Sequence, residues 1–147
     1  MSSAKRSPHL RRGIELYRQR RHHEALHVLS QARENGDSSP LIASYLGVLI
    51  SLAEGKRDEG LAMCMRALRV GIVDADLYEN LARTQILSGQ RDKAIETLRK
   101  GLRIDPEHRE MLELIERLRP RDDGLVPGLG RSHPLNDFVG KMRRKKD

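Results

Sequence analysis

Gly89-Gln90-Arg91-Asp92-Lys93-Ala94 is preceded, 34 residues earlier, by Gly55-Lys56-Arg57-Asp58-Glu59-Gly60. One step further back, with a slip of one residue, stands Arg20-Arg21-His22-His23-Glu24-Ala25. After each of these turns comes an apolar pattern at helical spacing: Leu26, Leu29, Ala32; Leu61, Cys64, Ala67, Leu68; Ile95, Leu98, Gly101, Leu102. Before each comes another: Leu10, Ile14, Tyr17; Tyr45, Leu49, Leu52; Leu77, Leu81, Ile86. Two helices per period of about 34 residues predict a stack of helical hairpins.

The composition fits thin, layered helices. Apolar residues make up 37% of 147, with no Trp, one Phe and three Tyr, so the core must be aliphatic and alanine-lined. One cysteine, Cys64, excludes an intramolecular disulfide and a multi-thiolate metal site. Its place on a predicted helix between Met63 and Met65 suits a buried thiol acting as a small hydrophobe. No apolar stretch follows the basic start, so the expectation is a cytoplasmic protein without signal peptide or membrane span. The net charge of +7 sits at the ends: residues 1–23 carry +6, residues 120–147 carry +3, and the middle is near neutral at −2. That distribution weakens an argument from overall charge to nucleic acid, because a binding fold more often spreads its basic residues over one face.

The third copy resembles the tetratricopeptide repeat. Tyr78 takes the large aromatic place, Leu81 and Ala82 the Leu-Gly pair, Ala94 the small crossing residue, Leu98 the large apolar place and Pro106 the closing proline. Gln85 stands where a tyrosine is expected. The first copy keeps Gly13, Ala25, Leu29 and Ala32 but has His9 and Arg12 at apolar places; the second keeps Ala67 and departs at Ser44, Gly47 and Gly60. Ala25, Gly60 and Ala94 fall where paired helices approach closely and a larger side chain would push them apart. The resemblance covers residues 8–119. It implies an all-α fold, a short right-handed superhelical solenoid of three helix-turn-helix repeats at about 8–39, 40–74 and 75–106, closed by a capping helix at 107–119. A basic arm at 1–7 and a linker with a basic tail at 120–147 flank it.

Boundary signals agree with that division. Pro8 and Pro40 suit first helical turns, with Ser7 and Ser39 as N-caps. Asp76-Leu77-Tyr78-Glu79 reads as a capping box with Asp in place of Ser or Thr. Asp105-Pro106-Glu107 opens the capping helix, with Met111, Leu114, Ile115 and Leu118 on one face; Pro120 stops it.

His23-Glu24-Ala25-Leu26-His27 matches the His-Glu-x-x-His motif of zinc hydrolases, with Glu24 as would-be general base. Ala25 and Leu26 are already explained by the repeat, the corresponding turns of the other copies carry no histidine, and no cluster stands out as source of a third ligand. No Ser-His-Asp or Cys-His arrangement, phosphate-cradling loop or defensible carboxylate pair is present. The reading is a non-enzyme with no cofactor, no metal and no small-molecule substrate.

The family resemblance implies that the first helix of each hairpin lines a concave face. The residues expected there are Leu10, Ile14 and Tyr17; Tyr45, Leu49 and Leu52; and Glu79, Arg83 and Ile86. Relatives that grip a C-terminal carboxylate use a set of Lys, Asn and Arg residues, for which only Asn80 and Arg83 offer themselves. An apolar groove favours a peptide or helix with hydrophobic anchors; the competing reading is that Leu49 and Leu52 pack between helices.

Residues 120–133 read as a Gly/Pro linker, and Leu135, Phe138, Val139 and Met142 then fall on one face of a short helix with a basic end, Lys141 and Arg143 to Lys146. Three readings compete: docking on a partner or in the protein's own groove, contact with RNA or anionic membrane, and a solvated tail. The expected function is a protein–protein interaction module, an adaptor, scaffold or chaperone-like subunit that could also self-associate. The alternative is an RNA- or membrane-associated factor acting through its basic ends.

Overall fold

The computed structural model describes residues 6–120. These fold into helices α1 (Pro8–Arg18), α2 (His22–Glu34), α3 (Pro40–Ala53), α4 (Arg57–Arg69), α5 (Ala75–Leu87), α6 (Arg91–Ile104) and α7 (Arg109–Leu118), with no strand among the described residues. Three antiparallel hairpins, α1–α2, α3–α4 and α5–α6, pack in sequence, and α3 touches α1, α2, α4 and α5. That central position explains the burial pattern of α3, in which every residue from Leu41 to Ser51 except Ala43 is buried. The outer helices bury one stripe each, such as Ala25, Leu29 and Ala32 on α2. The result is an all-α helical-repeat solenoid. None of its helices is long and apolar enough to cross a membrane.

Close helix approach depends on missing side chains. A Cβ on Gly60 would lie 2.0 Å from Ser51 Oγ and 2.2 Å from the Gly47 carbonyl oxygen. Ser51 Oγ donates to that same carbonyl at 2.9 Å, so the crossing is packed by backbone and one small hydroxyl. Beside it the Cys64 thiol is fully buried and points at Ser44 O, 3.3 Å away. In the third hairpin Gln85 is buried and accepts from Thr97 Oγ1 at 2.8 Å, so a hydrogen bond from α6 to α5 stands where the repeat expects a tyrosine.

The turns inside the hairpins reverse with one left-handed residue each. Gly55 (φ 69°) and Gly89 (φ 74°) serve in the second and third hairpins, and Arg20 (φ 60°) takes the same place in the first. A side chain there costs about 1–2 kcal/mol that glycine avoids.

Some boundary expectations need correction. Ser7 caps α1 by accepting from Leu10 N, but Ser39 makes no side-chain cap; its own N–H donates to Asp37 Oδ1 at 3.1 Å. The cap of α5 is Asp74, whose carboxylate accepts from Asp76 N, and Asp76 lies inside the helix, buried. Residues 105–108 form a turn, with Asp105 Oδ1 accepting from Glu107 N at 3.2 Å, so the last helix starts at Arg109. Met111 of α7 is fully buried against Gly101, whose absent side chain makes the room. Burying such a side chain stabilises the stack by about 1.5–3 kcal/mol.

Candidate functional site

The first helices of the hairpins and α7 face a common groove. Its main chamber, about 510 Å³, is lined by Tyr17 and Arg18 of α1, Arg20 of the turn after it, His22 of α2, Tyr45 and Leu52 of α3, Glu79 and Arg83 of α5, and Glu110, Glu113 and Arg117 of α7. A smaller apolar pocket of about 130 Å³ adjoins it, formed by Tyr17, Val48, Leu52, Arg83, Ile86, Leu87 and Leu114. Tyr17, Leu52 and Arg83 border both.

The groove is narrower and more charged than the apolar spacing implies. Leu10, Ile14, Tyr45 and Leu49 are core residues, each no more than 4% exposed, because α1 and α5 close on α3 from both sides. Leu49 is fully buried, whereas Leu52 is 39% exposed and borders the groove. The Tyr17 ring stands edge-on to Tyr45, with centroids 5.5 Å apart. Of the nine residues expected on this face, Tyr17, Leu52, Glu79, Arg83 and Ile86 remain on its wall, and Tyr45 reaches it only at its edge. Burial pushes the Tyr17 phenol up to about 12. The tail residues Leu135, Phe138, Val139 and Met142, and the basic segment 141–146, lie outside the described residues.

A buried polar network that local sequence patterns do not announce sits at the floor. Asp76 Oδ2 accepts from Tyr45 Oη and from the Arg6 guanidinium, both at 2.9 Å. Asp76 Oδ1 lies 3.2 Å from His108 Nε2, which is also 3.6 Å from Glu79 Oε2. His108 Nδ1 accepts from Met111 N at 3.4 Å, capping α7, which leaves Nε2 as the donor toward Asp76. Arg83 pairs with Glu79 at 2.7 Å. Burial alone would raise the Asp76 carboxyl, but the Arg6 guanidinium, His108 and the Tyr45 hydroxyl together hold it below its ordinary value. Glu79 goes the other way: burial raises it against the pull of Arg83.

Asp76, Glu79 and His108 bring three ligating atoms within 4.8 Å of one another, the one such grouping among the described residues. The two carboxylates already have Arg6 and Arg83 as charge partners, so a divalent cation would add charge to a balanced cluster. The arrangement works as a structural ion network joining the segment before α1 to α3, α5 and the start of α7. His23 and His27 lie elsewhere, exposed along a shallow depression on α2, and the Glu24 carboxylate is bound by Arg21.

Residues 75–108 match the family model described as Tetratricopeptide repeat. The match covers the third hairpin and the turn after it. Over 146 residues the chain is 25% identical to U-box domain-containing protein 70 of Oryza sativa subsp. japonica, a match covering 95% of this chain and 17% of that protein. The chain therefore spans less than a fifth of the length of the curated relative it matches. Among solved structures it is similar to the TPR domain of Arabidopsis OM64, with a TM-score of 0.59 and 14% identity over 76% of this chain and 91% of that one. The second TPR domain of human RPAP3, solved in complex with an HSP70 peptide, gives 0.58 and 12% identity over 77% and 93%. The chain carries a tetratricopeptide repeat, and its described residues have the fold of a TPR domain.

Proposed function

We propose that the chain is a non-catalytic protein-interaction module that holds a partner segment in the groove between α1, α3, α5 and α7. The observation that carries this reading is the groove itself: an open, partly apolar channel on the face made by the first helices. Half-exposed aliphatic side chains remain at its wall. Buried core residues do not need such a channel, and a segment with an apolar anchor would fill it. The second TPR domain of human RPAP3, which has this fold, is in complex with an HSP70 peptide, and that supports the same use of the fold here. An adaptor, scaffold or chaperone-like subunit in the cytoplasm fits this role, and self-association through an end of the solenoid is compatible with it.

The test is a nuclease-treated pull-down at moderate salt comparing the full chain with its Leu52→Arg variant. A discrete protein held by the first and lost by the second supports the groove. Binding that survives the substitution, or that vanishes with nuclease and falls steeply with salt, favours RNA or an anionic surface held by the basic ends.

A further inference from the structure

The charges around the groove are not all partnered. Glu79 pairs with Arg83 and Glu113 with Arg117 at 4.0 Å, whereas Glu110 lies 3.5 Å from the acceptor nitrogen Nδ1 of His108, which does not offset its charge. Arg18 and Arg20 line the same chamber, are exposed, and have no carboxylate within ion-pair distance among the described residues. His22 beside them is pushed below its ordinary value by burial and by Arg20, so it contributes little positive charge at neutral pH. The unpaired cations of this chamber are therefore two guanidiniums, against the single carboxylate of Glu110. One of them, Arg20, is held at φ 60° where the equivalent turns use Gly55 and Gly89. A residue kept in a costly backbone conformation at a binding face is a pointer to use of its side chain.

The apolar pocket sets the second requirement. A dry cavity of about 150 Å³ lined by Leu, Ile and Phe accepts benzene, so 130 Å³ between Tyr17, Val48, Leu52, Ile86 and Leu114 holds one Leu, Ile or Met side chain. Tyr17, Leu52 and Arg83 border both this pocket and the chamber that Arg18 and Arg20 line, so anchor and charge are met on one short stretch of ligand.

On the premise that the groove binds a partner segment, we infer that the segment carries one aliphatic anchor for the Tyr17–Leu52–Ile86 pocket and an adjacent Asp or Glu for Arg18 and Arg20. The guanidiniums can form two-pronged hydrogen bonds to a side-chain carboxylate at the rim, where it keeps part of its hydration. Direction comes from the charge and grip from the anchor.

The probe is a library of phage-displayed random dodecapeptides selected on the full chain and counter-selected on its Leu52→Arg variant. The enriched peptides should share an aliphatic residue beside an acid. Fluorescence anisotropy of the best peptide should then show about fivefold weaker binding to Arg20→Gly, with only part of it restored in Arg20→Lys, which returns the charge but not the two-pronged hydrogen bond. Replacing the peptide's acid by its amide should cost the wild-type complex a larger factor than the Arg20→Gly complex, in which only Arg18 still faces the acid. A merely structural Arg20 would not give that coupling. Enriched peptides without an acid, or an unchanged affinity for Arg20→Gly, would overturn the assignment of Arg18 and Arg20 and leave the groove standing. No peptide surviving counter-selection would overturn the groove as well.

Discussion

Gly60 meets Gly47 backbone to backbone: a Cβ on Gly60 would stand 2.2 Å from the Gly47 carbonyl oxygen, and that oxygen belongs to the most buried helix of the stack. Alanine at position 60 gains about 1 kcal/mol in helix propensity over glycine, yet must push α3 and α4 apart. Gly60→Ala should therefore destabilise by about 2 kcal/mol or more, read as a lower urea midpoint. Adding Ser51→Ala removes the 2.0 Å clash with Oγ but not the one with the carbonyl, so the double variant should recover only part of the loss.

Arg20 offers the opposite case. With φ 60° it takes the turn position of Gly55 and Gly89, and glycine relieves that strain at some cost in unfolded-chain entropy. Arg20→Gly should raise stability by about 0.5–1 kcal/mol, a Tm increase of a few degrees. An unchanged or lower Tm would mean that the guanidinium contributes more to the fold than its surroundings indicate.

Cys64 should be silent toward thiol reagents. It is fully buried, burial pushes its thiol up to about 11, and only the thiolate reacts. A disulfide reagent at pH 8 should label no thiol within minutes in the native protein and one per chain in denaturant. Rapid labelling of the native protein would show that the α3–α4 layer opens readily.

Asp76 predicts a pH dependence with a definite sign. Its carboxyl is held below the ordinary value, so its contribution to stability is full above about pH 4 and is lost as the pH falls through the folded-state value. Asp76→Asn leaves Arg6 and the Tyr45 hydroxyl without their charged partner and should cost about 2–4 kcal/mol at pH 7. The gap between wild type and variant should narrow as urea melts are taken below pH 4. Glu79 acts in reverse, since its raised carboxyl makes ionisation costly as the pH rises, and this partly flattens the wild-type curve.

The repeat was legible because its cues are local. The turn stretches at Gly55 and Gly89, the small residues at Ala25, Gly60 and Ala94, and the apolar spacing all lie within one hairpin. The site was legible only in part. Asp76 looked like a cap from its own neighbourhood, but Asp74 two residues earlier takes that role. The partners that hold Asp76 inside the fold, Arg6, Tyr45 and His108, are 70, 31 and 32 residues away. Leu10, Ile14 and Leu49 have the spacing of a groove face, yet helical periodicity cannot tell a face lining a channel from one closed by a neighbouring helix. That distinction depends on how closely α1, α3 and α5 stack.

The central claim is that partners enter the groove, and site-specific photo-crosslinking tests it most directly. A photoreactive residue replaces Leu52 at the groove wall in one chain and His27 on the exposed side of α2 in another, and both are irradiated in native cell extract after nuclease treatment. The account predicts a discrete protein adduct from position 52 and none of the same mass from position 27. An adduct from position 27 alone, or identical adducts from both, would contradict it and move the binding surface to the outer helices.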